Sequence, residues 1–170
     1  MAAAEPGRTL YAGTFNKALF PSLRLGFLVA PAEAMPALAA VRAGLGGPPP
    51  TLVQATLAAF LEEGLLGPHL RKLRERCEER RETLRDAVER DLGGRLTLLA
   101  PDSGQHAVGW LRPDADDAAV SREATRLGLD CPPLSRYALE ARVPPGLLLS
   151  FAGATPAELR AGVRTLSRCL

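Results

Sequence analysis

Lys17 and Lys72 are the only lysines among 21 basic residues, and the other 19 are arginine. Arginine keeps its proton in a protein, whereas a desolvated lysine can become a neutral amine able to attack a carbonyl. Lys72 lies among Arg71, Arg74, Glu75 and Arg76, the pattern of a solvated helix face, while Lys17 has no charged neighbour in sequence. Lys17 closes the run Gly13-Thr14-Phe15-Asn16-Lys17, and Arg24 follows seven residues later. A lysine on a turn after a strand can project into the cleft at the strand ends, where open α/β sheets bind ligands. Thr14 and Asn16 add a hydroxyl and an amide. Arg24 offers a planar fork for a phosphate, and Lys17 an amine for a Schiff base. Together these residue types suit an aldehyde that carries a phosphate. The spacing is equally open to a plainer reading, in which Arg24 caps a strand, Lys17 faces solvent and the glycines serve only the turn.

Other chemistries find less support. Cys77, Cys131 and Cys169 are spaced 54 and 38 residues apart, with no Cys-x-x-Cys and two histidines in the chain. That is neither a disulfide frame nor a zinc site, and no metal is expected. Each cysteine sits among apolar residues and reads as a small buried hydrophobe. His106, with apolar strand neighbours, reads as a packed, hydrogen-bonded histidine.

The elements that must position Lys17 and Arg24 are two strands, over residues 9–13 and 24–30, joined by GTFNKALFPS. The second is a near-continuous apolar run and predicts a strand buried on both faces. Residues 31–45 carry Met35, Leu38, Val41 and Leu45 at helical spacing and end in a GGPPP break. A further helix begins with Thr51 as N-cap, turns Leu52, Leu57, Phe60 and Leu61 inward, and stops at Gly64 or Gly67-Pro68. From His69 on, Leu70, Leu73, Cys77, Leu84 and Val88 form one apolar stripe among acids and arginines, the mark of a surface helix. Its charges read as a solvated face laced with Glu/Arg pairs. Gly93-Gly94 ends it, and the composition divides the chain there into segments 1–93 and 94–170. The second segment alternates strands over 95–99, 106–111 and 147–152 with a helix over 117–127, and has a loop over 132–144. A last helix opens on Thr155-Pro156-Ala157-Glu158, with cap, proline at the first position and Glu three residues on. Leu159, Val163, Leu166 and Leu170 form its stripe. This is an α+β layer with helices on one face of a small sheet.

At 170 residues, 46% apolar and 24% charged, the chain can bury one sizeable core or two small ones. A net charge of +2, with 19 acids among 21 bases, supplies no basic face for nucleic acid. The longest apolar run, residues 23–31, is interrupted by Arg24 and falls short of the roughly 20 residues that span a bilayer. The N-terminal residues show no apolar signal-peptide core, so a cytoplasmic protein is expected.

GTFNKALFPSLRLGFLVAP resembles the lysine segment of fold-type-I pyridoxal-phosphate enzymes, and most closely the aminotransferase-like domain of MocR-type regulators of the GntR family. The resemblance continues through QATLAAFLEEGLLGPHLRKLRERCEERRETL and SGQHAVGWL to GLLLSFAGATPAELRAGVRTL, in the same order and over nearly the whole chain. It implies an α/β fold, the C-terminal half of a PLP-dependent transferase. Residues 1–93 would be the end of the large-domain sheet with long connecting helices, and 94–170 the small α+β domain. It implies pyridoxal 5'-phosphate as cofactor, Lys17 as the Schiff-base lysine and proton shuttle, and Arg24 as the phosphate-gripping arginine. Thr14 and Asn16 match positions around the phosphate and the lysine, with Asn16 replacing a more usual serine.

Two departures qualify the resemblance. Amino-acid aminotransferases carry an arginine for the substrate carboxylate in a pattern like Arg-Leu-Ser-Phe, and here that place reads Leu148-Leu149-Ser150-Phe151. Many MocR-like sequences are similarly apolar there; polar groups could instead come from Ser135, Arg136, Tyr137 or His106. The resemblance also begins only a few residues before Lys17. The acid that pairs with the pyridine nitrogen, the ring-stacking aromatic and the phosphate-loop donors would lie in a preceding half, as would any winged-helix module. The expectation is a fragment, a truncated product or one piece of a split protein, with unpaired strand edges that favour association, as a homodimer or with a separate N-terminal half. Three functions follow: an aminotransferase-like domain handling an amino acid or amine, an effector-sensing module of a regulator without turnover, and an inactive remnant.

Overall fold

A computed structural model of the chain describes residue 5 and residues 7–170. Its first elements are strands β1 (Tyr11–Thr14) and β2 (Gly26–Val29), paired antiparallel with Tyr11 opposite Val29 and Thr14 opposite Gly26. The Phe27 ring lies across Gly13, between Tyr11 and Phe15 at centroid distances of 5.8 and 5.4 Å. A Cβ at Gly13 would come within 2.3 Å of that ring, so any larger residue there would displace Phe27. The expectation that residues 24–30 are buried on both faces is not met: Phe27, Leu28 and Val29 are 41%, 45% and 56% exposed. Among the described residues β2 has one neighbouring strand, and no element of its unit covers either face. An apolar run signals surface suited to burial, not the presence of what buries it.

A 3-10 turn at Ala32–Ala34 leads into helix α1 (Met35–Gly44), whose Met35 and Val41, expected inward, are exposed. Helix α2 (Thr51–Glu62) is capped by Pro50, not Thr51. The carbonyl of Pro50 accepts from the amides of Val53 and Gln54, and a proline there forfeits no helical N–H. The inward positions are accordingly Val53, Leu57 and Phe60, while Leu52 and Leu61 are exposed. Leu57 packs with Leu23 and Leu25, and Phe15, Leu19 and Val53 surround them.

Helix α3 (Leu66–Leu92) is about 40 Å long. The chain falls into two compact units, one ending at Leu73 and the other running Arg74–Leu170, so the division lies inside α3, whereas composition points to Gly93-Gly94. The reason is the stripe: Leu84, Ala87, Val88 and Leu92 belong to the core of the second unit. The charged face of α3 is not wholly solvated either. Arg81 is buried, donates to the carbonyl of Pro101 at 3.1 Å, and bonds Glu78.

In the second unit, β3 (Thr97–Leu99), β4 (His106–Trp110) and β5 (Gly146–Ser150) form an antiparallel sheet in that order. Pro133 bridges to Leu147, and the Leu148 amide donates to Pro132 at 2.8 Å, which extends β5's outer edge. Alternation puts Ala107, Gly109, Leu147 and Leu149 on the buried face, with α3, helix α4 (Asp117–Arg126) and helix α5 (Pro156–Leu166) contributing to the core around Phe151. The opposite face carries His106, Val108, Trp110, Leu148 and Ser150. The α5 capping box forms as the sequence predicts: Thr155 Oγ1 accepts from the Glu158 amide, and the Glu158 carboxylate from the Thr155 amide at 2.7 Å. Leu159, Val163 and Leu166 are buried; Leu170 lies beyond the helix and is exposed. Cys131 is fully buried, and desolvation, with Cys169 and Asp130 adding to it, pushes its thiol up to about 11. Cys77 and Cys169 are only half-buried. Among the described residues no helix is long and apolar enough to cross a membrane.

Candidate functional site

Thr14, the last residue of β1, turns the chain. Its Oγ1 donates to the carbonyl of Leu25 at 3.3 Å and accepts from the Asn16 amide at 3.2 Å. The Phe15 amide donates to the same Leu25 carbonyl, and the Leu19 amide donates to Phe15 at 2.8 Å, which winds residues 15–19 into a single helical turn. Phe15 and Leu19 pack on Leu23, Leu25 and Leu57, so the ends of the turn are anchored while Lys17 at its middle stands exposed. The strand before Lys17 is itself largely exposed.

Arg24 follows a 3-10 turn at Pro21–Leu23 and precedes β2 by two residues. It sits at φ 48°, ψ 30°, the one non-glycine residue with positive φ among those described. The flanking Leu23 and Leu25 are both buried in the small core, and the left-handed conformation lets both point inward while the guanidinium faces out. For a residue with a Cβ this costs roughly 1–2 kcal/mol. Strain of this kind persists only where the surrounding structure fixes it, and it concentrates at ligand sites.

The residues fit a phosphate-bearing aldehyde. The two cations, Lys17 and Arg24, carry that fit; Asn16 Oδ1, buried without a donor, is an acceptor that can answer an ammonium but not a phosphate oxygen. Among the described residues, neither the Lys17 amine nor the Arg24 guanidinium has an ion-pair or hydrogen-bond partner within the protein. Two uncompensated cations and an orphaned acceptor therefore share one hairpin connection. Thr14 and Asn16 are joined directly by a hydrogen bond, and Lys17 and Arg24 lie on the same connection.

In the second unit, Ser135 is engaged elsewhere: its Oγ donates to Asp117 at 2.6 Å and its amide donates to the same carboxylate at 3.1 Å. Arg136 and Tyr137 are exposed on the 3-10 turn Leu134–Tyr137. Leu134 of that turn packs on Gly146 and Trp110, at one end of the sheet face that carries Leu148. His106 is exposed opposite Ser150, not packed as its neighbours suggested, because β4 begins there and the apolar residues beside it alternate away. Leu148 is half-buried opposite Val108.

Two residues escaped the reading from sequence. His69, in the first turn of α3, bonds the Ala18 carbonyl at 2.7 Å; its rarity as one of two histidines was the available signal. Asp117 gathers Ser135 and the Gly146 amide, and nothing local marks it apart from its neighbour Asp116, which caps α4.

The family model for aminotransferase class I and II matches residues 1–166. The chain is 36% identical over 162 residues to the probable rhizopine catabolism regulatory protein MocR of Rhizobium meliloti, covering 95% of this chain and 33% of that protein. It is 35% identical over 136 residues to the pyridoxine biosynthesis transcriptional regulator PdxR of Corynebacterium glutamicum, covering 79% and 29%. Among solved structures, LysN, the α-aminoadipate aminotransferase of Thermus thermophilus in complex with N-(5'-phosphopyridoxyl)-L-leucine, superposes with a TM-score of 0.86 at 26% identity, over 95% of this chain and 41% of that one. The chain thus spans about a third of the length of the curated relatives it matches.

Proposed function

The chain belongs to the class I and II aminotransferase family, and from that membership we propose that it is the lysine-bearing portion of a pyridoxal 5'-phosphate-binding, aminotransferase-like domain that handles an amino acid or amine. The single observation that carries this reading is Arg24 held in a left-handed conformation on the same connection as Lys17, with no partner for its guanidinium among the described residues. When bound, the cofactor supplies an aldehyde that captures amines and a ring that draws electrons from the carbon beside the captured nitrogen. Arg24 binds the phosphate through its fork, and the Thr14 hydroxyl, already oriented by Leu25 and Asn16, borders that site. Lys17 Nζ would hold the cofactor's aldehyde and, as a free amine, would move a proton from and to the carbon beside the substrate nitrogen. Residues preceding this segment in the longer relatives, or a partner chain in a homodimer, complete the pocket. The setting in this reading is cytoplasmic.

A second reading, an effector-sensing module without turnover, is favoured by Leu148. Where amino-acid aminotransferases carry an arginine for the substrate carboxylate, this chain presents an apolar side chain.

The test is to incubate the chain with pyridoxal 5'-phosphate, reduce with borohydride and map the labelled peptides by mass spectrometry, with Lys17→Ala as control. Label concentrated on Lys17 over Lys72 is expected. Equal label on both lysines would remove the cofactor reading for this segment. Transfer of the amino group to a 2-oxo acid then separates turnover from sensing.

A further inference from the structure

We propose that His69 is a positioning residue for the Lys17 amine, acting through the peptide unit that joins Ala18 to Leu19; its consequence for chemistry rests on the reading of Lys17 given above. That peptide unit is fixed at both ends. Its N–H, from Leu19, donates to the carbonyl of Phe15 at 2.8 Å, and its carbonyl, from Ala18, accepts from His69 Nε2 at 2.7 Å. On the other side of Lys17, the unit joining Phe15 to Asn16 is fixed through the Asn16 amide, which donates to Thr14 Oγ1. The two peptide units that meet at the Lys17 Cα, 16–17 and 17–18, therefore lie between two pinned ones, which limits the orientations the backbone at Lys17 can take.

The His69 pin comes from outside the loop, 51 residues along the chain. Where the ring stands is set by the helices. The His69 amide donates to Leu65 at 3.1 Å as α3 begins, and the ring meets Phe60 of α2 edge-on, at 6.2 Å between centroids and 77° between planes. A carbonyl oxygen can only accept, so Nε2 must carry the proton in this contact. Without His69, the Ala18 carbonyl loses its partner within the protein. The 18–19 peptide plane is then held by the Leu19 amide alone and can swing, which frees one end of the short segment that carries Lys17. A displacement of about 1 Å in a reacting group can cost about a hundredfold in rate, so a remote pin of this kind has leverage on chemistry.

The experiment compares the 170-residue chain with His69→Phe, which keeps a ring against Phe60 but donates nothing, and His69→Gln, which restores an N–H donor. Hydrogen exchange, followed by NMR without cofactor, reads the Asn16 and Leu19 amides. In His69→Phe the Leu19 amide should exchange about three- to tenfold faster, the effect expected of one ordinary hydrogen bond, with β1, β2 and α2 amides unchanged. In His69→Gln it should return toward the parent rate. Unchanged exchange in His69→Phe, equal acceleration throughout the hairpin and α2, or no recovery in His69→Gln would each overturn the positioning role. A measurement on the parent chain does not depend on the variants folding: the imidazole nitrogen shifts must show the proton on Nε2, and a proton on Nδ1 alone refutes the contact. Selectivity of borohydride-fixed pyridoxal phosphate for Lys17 over Lys72 should fall in His69→Phe. If the parent chain shows no such selectivity, the cofactor reading fails while exchange and tautomer still decide the role of His69 in holding the turn.

Discussion

Removing the Asp117 carboxylate should cost far more stability than a typical surface substitution, because three donors converge on a group that is only 5% exposed. Ser135 Oγ donates at 2.6 Å, the Ser135 amide at 3.1 Å and the Gly146 amide at 3.2 Å. Hydrogen bonds to an ionised acceptor contribute about 1.5–3 kcal/mol each, and a buried donor left without an acceptor costs about 1–3 kcal/mol. In Asp117→Ala, Ser135 is exposed and can turn to water, but Gly146 is buried and its amide cannot. The expected loss is therefore about 3–5 kcal/mol, close to that of breaking a buried ion pair. Asp117→Asn keeps one acceptor oxygen and should lose about 1–2 kcal/mol. The pH dependence follows from the same geometry. Desolvation raises the Asp117 carboxyl pKa, but the hydrogen bonds from the Ser135 hydroxyl and from the amides of Ser135, Gly146 and Ala118 outweigh it, so the group titrates below its ordinary value. A depressed folded-state pKa gives stability that is present above the unfolded value, about 3.9, and is lost as pH falls through the folded one. The gap between parent and Asp117→Asn, measured by urea unfolding, should be full at pH 6 and close below about pH 4. A loss under 1 kcal/mol in Asp117→Ala, or a gap that does not change with pH, would refute the reasoning.

Arg24→Gly removes the left-handed strain and should stabilise the hairpin connection by up to about 1 kcal/mol, while abolishing preferential labelling of Lys17 by pyridoxal phosphate. Hydrogen exchange at the Phe15 amide, which donates to Leu25, reads the first effect and peptide mapping the second; a destabilised hairpin would show that Arg24 holds the fold and not a ligand. Gly146→Ala forces a Cβ to within 2.7 Å of Leu134 Cδ1 and 3.1 Å of Trp110 Cε3, whereas Gly44→Ala, at the end of α1, meets nothing within 4 Å. Urea unfolding should show the first losing about 1–3 kcal/mol and the second neutral or gaining up to about 1 kcal/mol.

What the sequence revealed divides along the range of the interactions involved. The α5 start was legible because a capping box is closed within four residues, Thr155 to Glu158. The two strands around the Lys17 segment were legible because turn residues separate them, but their antiparallel pairing into a hairpin was not. On α2 the inward positions Leu57 and Phe60 were legible, while Leu52 and Leu61 are exposed and Val53 takes the inward place at the helix start. His69 and Asp117 were not legible, because their partners lie 51, 18 and 29 residues away and are chosen by packing. The burial of β2 was misjudged for a related reason: apolar content speaks of a strand's own surface, while exposure depends on its neighbours.

The two faces of the β3-β4-β5 sheet show why the fold and the identity of the ligand are separately encoded. Ala107, Gly109, Leu147 and Leu149 must stay small or apolar because helices pack on that face. Leu148 points the other way, half-buried opposite Val108, and no helix depends on it. Exchanging arginine for leucine there leaves the packed face untouched while replacing a bidentate, charge-assisted grip with an apolar contact. Each of the two lost bonds is worth about 1.5–3 kcal/mol to a carboxylate. Arg136 and Tyr137, on the turn clamped by Asp117, are the exposed polar side chains at the end of the face where Leu134 packs. The apolar Leu148, at the position where amino-acid aminotransferases carry an arginine, is what speaks for the sensing reading proposed above over general transamination.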